Sequence, residues 1–96
     1  MTSRFIIRPA AEADIAKAAL WYESRSLGLG AEFLRAVDVC FTEIRRRPER
    51  FPQIYRTSRR ALLRRFPHAV YFVSTDTAIR VLTSPARSPR AIPSGR

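Results

Sequence analysis

The chain has few of the residues that usually announce chemistry. Its 96 residues include one Cys, one His, one Lys, one Trp and three Gly. One cysteine excludes an internal disulfide and, with one histidine, leaves too few ligands for a structural zinc site. The sequence therefore predicts no cofactor and no metal. No apolar run approaches the roughly 20 residues of a membrane span. The amino terminus runs through a short apolar stretch into Pro9 rather than into a long secretory core, so a cytoplasmic address is expected. Negative charge is scarce in the second half, where only Glu49 and Asp76 are acidic. The end of the chain has no Lys after Lys17, no Glu after Glu49 and no aromatic residue after Phe72.

What the chain has is arginine. Residues 1–43 carry five basic and six acidic side chains, and residues 44–96 carry thirteen and two, so the net charge of +10 comes entirely from the second part. Arg45, Arg46, Arg47, Arg50, Arg56, Arg59, Arg60, Arg64 and Arg65 fall within one short stretch. Guanidinium forks suit bidentate contact with phosphate or carboxylate, so an anionic partner is expected, either nucleic acid or an acidic protein segment. A plainer reading also fits part of the run. Cations in the last turn of a helix offset its exposed carbonyls by about 0.3 to 1 kcal/mol each, which suits Arg45 to Arg47. Charges on a sheet edge discourage strand-to-strand aggregation, which suits Arg59, Arg60, Arg64 and Arg65.

The length fits a single domain with one core, and 46% hydrophobic residues are enough to fill it. Arg4 to Arg8 reads as a short strand ended by Pro9. Two helices follow, near residues 10–26 and 30–47, broken at Leu27-Gly28-Leu29-Gly30 and closed by Pro48. Ile15, Ala18, Ala19 and Tyr22 share one face of the first helix, and Phe33, Val37, Phe41 and Ile44 share one face of the second. So short a connection makes them an antiparallel hairpin. Beyond Pro48 the period shortens. Residues 54–58, 60–66, 68–74 and 78–84 read as strands of a small, mainly antiparallel sheet, with Thr75-Asp76-Thr77 as a turn. The expected class is α+β, with the helical hairpin packed on one sheet face. Residues 1–86 are expected to form the domain and residues 87–96 a mobile basic tail.

Several strings in this order and spacing carry a resemblance. They are Pro9-Ala10-Ala11-Glu12-Ala13-Asp14-Ile15, Trp21-Tyr22, Gly30-Ala31-Glu32-Phe33, Ile44-Arg45-Arg46-Arg47-Pro48, the run from Arg59 to Tyr71, and Arg87-Ser88-Pro89-Arg90. Over nearly its whole length the chain resembles the RelE/ParE superfamily of toxins from type II toxin-antitoxin systems. For RelE-like members the resemblance implies cleavage of messenger RNA at the ribosome. For ParE-like members it implies inhibition of DNA gyrase without known hydrolysis. Ribonuclease members usually open the strand around Val70-Tyr71 with Asp-Tyr-Arg, and that Arg contacts the reacting phosphate. Pro67, His68 and Ala69 stand there instead, and Phe66-Pro67-His68 follows the ParE-like string Phe-Pro-Tyr with His for Tyr.

The missing late residues bear on the same choice. Cleavage through a 2'-hydroxyl needs a proton acceptor, a proton donor and cations around the phosphorane, and arginines supply only the cations. A catalytic set, if this were a ribonuclease, would be His68 with Arg59, Arg60, Arg64 and Arg87. As a plain structural residue, His68 would be a turn or partly buried imidazole. The residues expected to meet a target or antitoxin are Arg56, Arg59, Arg60, Arg64, Arg65, Arg87, Arg90 and Trp21, with Trp21-Tyr22 alternatively serving as core. Cys40 reads as a small buried hydrophobe and Asp14 as a helix-start residue.

The first reading is a ParE-like toxin that binds a cellular protein, with DNA gyrase the target the branch implies, and that a cognate acidic antitoxin neutralises. The alternative is a RelE-like ribosome-dependent endoribonuclease, whose partners would be the ribosome and messenger RNA. A third reading is an inactive relative or a basic nucleic-acid-binding protein.

Overall fold

The computed structural model describes residues 4–83. Five strands and two helices follow in the order β1 (Arg4–Ile7), α1 (Pro9–Arg25), α2 (Leu29–Arg46), β2 (Gln53–Tyr55), β3 (Ser58–Leu62), β4 (Ala69–Ser74) and β5 (Ala78–Thr83), with a 3-10 turn at Pro48–Arg50. The sheet order is β1-β5-β4-β3-β2. β1 and β5 are parallel, and every other neighbouring pair is antiparallel. The expected α+β architecture and helical hairpin are present. The expected tail, residues 87–96, lies outside the described residues.

Proline and glycine set the helix limits. Pro9 opens α1 at a position whose missing N–H has no helical partner to lose. The hairpin is closed by Glu23, whose carboxylate accepts hydrogen bonds from the N–H groups of Gly28 (3.0 Å) and Gly30 (2.9 Å). Gly28 takes the left-handed conformation, φ 89°, which glycine adopts without a Cβ clash. At Gly30 the helices meet so closely that a Cβ would lie 2.6 Å from the carbonyl oxygen of Ala19. On α2 the buried stripe is Phe33, Val37, Cys40 and Ile44. Cys40 takes the place expected of Phe41, which is only half-buried and meets Phe5 with ring centroids 5.2 Å apart.

The core lies between this hairpin and one sheet face. Phe33, Ile44, Val70, Phe72 and Val81 are its largest fully enclosed side chains. Removing such a residue from water stabilises the fold by about 1.5–3 kcal/mol before entropy is counted.

Two strand limits differ from the sequence expectation. The chain turns at Arg56, whose φ is 53°, so Ser58 and Arg59 belong to β3 rather than to a longer β2. β3 ends at Leu62 because Arg64 and Arg65 turn outward, with Arg65 at φ 69°. The loop closes through Leu63 N–H to the His68 carbonyl and His68 N–H to the Phe66 carbonyl.

Candidate functional site

The arginine run is contiguous in sequence but divided in space. Arg56 is exposed at the β2–β3 turn, its guanidinium 5.2 Å from the ring centre of Tyr55. Arg59 points inward from β3, where its Nη1 donates to the carbonyl oxygens of Phe51 and Glu49 and ties down the segment after α2. Arg60 alternates to the other face, opposite Tyr71 on β4. Among the described residues that face carries no helix, and the Arg60 Nε is buried there without a hydrogen-bond partner among them. Arg64 and Arg65 leave the sheet altogether and reach α2. Arg64 pairs with Glu43 at 3.2 Å and Arg65 with Glu32 at 3.0 Å. Arg45 lies over the Phe5 ring at 4.9 Å, near the end of α2 where a cation also favours the helix dipole. Arg87 and Arg90 lie outside the described residues.

The sequence did not signal Glu32 and Glu43 as partners of these arginines. They stand 33 and 21 residues from Arg65 and Arg64, and no local spacing rule links side chains so far apart. With Arg35, Ala36, Val39, Cys40, Leu62 and Phe66 they surround a cleft of about 460 Å³ between α2 and the end of β3.

His68 is 5% exposed and is the one buried polar or charged residue among those described. Its ring sits 5.0 Å from that of Phe33 and 5.8 Å from that of Tyr22, and Tyr22 Oη approaches its Nδ1 at 3.4 Å, a long contact. Burial holds the imidazole pKa below its ordinary value, and the carboxylate of Asp14 acts in the opposite direction. Burial also raises the Tyr22 phenol. The environment therefore favours the neutral ring. Asp14 accepts a hydrogen bond from the Thr83 hydroxyl at 2.6 Å, joining α1 to the end of β5 rather than only serving the helix start.

Trp21 is half-buried against the core, edge-on to Tyr22 at 5.1 Å, with Arg25 over its outer side at 4.6 Å. Cys40 is buried, and its thiol is pushed up to about 12 by burial and by Glu43, so it is held as the inert thiol. No group of three or more metal-ligating side chains occurs among the described residues, and no described helix is long and apolar enough to cross a membrane.

A second concavity, of about 620 Å³, runs along the outside of the hairpin. Ile15, Ala19, Leu20, Leu34, Val37 and Phe41 line it, with Glu12 and Asp38 as its charged members. Leu20 is 72% exposed and Leu34 46%.

No family model matches this chain, and neither does any curated protein. Among solved structures, a chain of the chromosomal ParDE TA system from P. aeruginosa superposes with a TM-score of 0.76, covering 88% of this chain and 96% of that one at 14% identity. The fold is ParE-like.

Within this ParE-like fold the described arginines from Arg56 to Arg65 are divided: Arg64 and Arg65 stand at the α2–β3 cleft, Arg60 on the sheet face away from the hairpin, and Arg56 at the β2–β3 turn. The single histidine stands at none of these places. It lies in the core, beneath the hairpin.

Proposed function

We propose that the chain is a ParE-like toxin of a type II toxin-antitoxin system, acting by binding a cellular protein and neutralised by an acidic antitoxin. The observation that carries this reading is the ParE-like fold together with the enclosure of His68. The imidazole suited to proton transfer near neutrality faces Tyr22 and Phe33 rather than a surface where RNA would lie. Ala69, where ribonuclease members place the phosphate-contacting Arg, supports the same choice.

DNA gyrase is the proposed target, following the ParE-like branch. The proposed contact residues are Arg56, Arg60, Arg64, Arg65, Arg87, Arg90 and Trp21. Arg59 contributes through the segment it holds. The net charge of +10 suits an acidic antitoxin, since opposite fields raise the association rate and select the pairing. The exposed apolar hairpin groove is proposed as surface that the antitoxin covers.

The reading is tested in a translating extract. No cutting of messenger RNA is expected, and in cells His68→Ala is expected to leave growth inhibition largely intact. Joint replacement of Arg60, Arg64 and Arg65 by Ala is expected to abolish inhibition while the protein stays folded. Cuts at the ribosomal A site that disappear in His68→Ala would replace this reading with the ribonuclease.

A further inference from the structure

Acidic side chains are scarce in this chain, and several of the described ones are already occupied. Glu32 and Glu43 hold Arg65 and Arg64, Glu23 closes the hairpin, and Asp14 accepts from Thr83. Glu12 and Asp38 make no ion pair among the described residues, and both line the apolar groove along the outside of the hairpin. None of the described side chains lining that groove is basic. In a chain of net charge +10 it is an apolar surface with an acidic rim, which suits an occupant both apolar and cationic.

The sequence carries such a segment beside the groove. Residues 84–96 hold three Arg, no acidic residue, and Ile92 as their largest apolar side chain. Their three prolines favour extended conformers, which lowers the entropy lost on docking. The segment starts after Thr83, which is held to α1 by its bond to Asp14. Glu12 stands two residues before Asp14, about 200° around the helix, so the groove opens on the opposite side of α1. The way round passes Ala10, Ala13 and Ala16, all exposed and too small to obstruct a chain. Crossing a helix about 10–12 Å wide takes roughly 17 Å, or about five extended residues. From Glu12 to Leu20 the groove follows α1 for about 12 Å, well within reach of the roughly eight residues that remain.

We propose that residues 84–96 cross α1 and lie along the hairpin groove of their own chain. Arg87 and Arg90 meet Glu12 and Asp38, and Ile92 packs against Leu20 and Leu34. Tethering gives the segment an effective concentration on the order of millimolar, which favours a chain's own segment over that of a second copy. Two copies docked groove to groove would bring their acidic rims together. On the toxin reading, an antitoxin that covers this groove must first expel the segment; the inference itself does not depend on that reading.

The test uses the full chain with a nitroxide label on Ser94→Cys; Cys40 is buried and inert and stays unlabelled. The methyl NMR signals of Leu20 and Leu34 are expected to broaden more than that of Leu62, which lines the other side of α2. Charge reversal of the rim, Glu12→Lys with Asp38→Lys, is expected to abolish the excess broadening, with the urea midpoint showing that the chain is still folded. Ile92→Asp alters no described residue and is expected to do the same. The broadening is expected not to change with protein concentration. Equal broadening at all three leucines, or broadening that survives both the rim reversal and Ile92→Asp, overturns the proposal. Broadening that grows with protein concentration also overturns it, by giving the groove to the segment of another copy. Growth inhibition is not read in this experiment, so failure of the toxin reading leaves its outcome unchanged.

Discussion

Protonating His68 would place a cation against the rings of Tyr22 and Phe33 in a site that is 5% exposed. In the unfolded chain the same imidazole titrates near its ordinary value of 6.5, and folding lowers it. The unfolded state then binds more protons than the folded state below that pH, so stability is fully present above about 6.5 and falls as the solution is acidified through the folded pKa. His68→Phe is expected to flatten the stability-against-pH curve in that window, measured by urea unfolding at a series of pH values. An unchanged slope would mean that another group produces it. In sequence, a histidine beside a proline looks alike as catalyst, turn residue or partly buried imidazole, so the residue type alone does not assign His68. Its enclosure depends on Tyr22 and Phe33, which come from two helices far away in sequence. The same applies to Arg59. Its charge is legible in the sequence, but its bond to the Phe51 carbonyl depends on how the chain turns at Arg56.

At the scale of elements, the close approach of α1 and α2 depends on Gly30 and Glu23. A Cβ at Gly30 would meet backbone, the carbonyl of Ala19 at 2.6 Å, and backbone has no alternative rotamer to adopt. Gly30→Ala is therefore expected to destabilise the chain by about 1–3 kcal/mol, seen as a lower urea midpoint with an unchanged slope. Glu23→Ala removes the acceptor from the Gly28 and Gly30 N–H groups, with an expected loss of about 1–2 kcal/mol. If either variant unfolds with the wild-type midpoint, the hairpin is not held where described. The helices were legible because Pro9, the break around Gly28 and Pro48 act on the backbone next to them. The limits of β2 and β3 were not legible, because Arg56 and Arg65 take left-handed conformations that arginine seldom adopts and that no local residue type announces.

For the whole molecule, one-sided charge is the property most directly inherited from the sequence, and its division among surfaces is the least. In sequence, the run from Arg45 to Arg65 reads as one cationic field for an anionic partner. Alternation along β3 instead separates Arg59 from Arg60, and the outward turn sends Arg64 and Arg65 to α2. The net field nonetheless remains positive, so association with an acidic partner is expected to slow as salt rises past about 0.15 M, where screening acts over roughly 8 Å. A rate indifferent to salt would remove electrostatic steering from the account. The central claim, that the ParE-like chain inhibits growth by binding and not by cutting RNA, is tested most directly by following protein synthesis immediately after induction in bacteria. The account predicts that amino-acid incorporation continues while the cells filament and accumulate DNA damage. Incorporation that stops at once, with A-site cuts lost in His68→Ala, would contradict it.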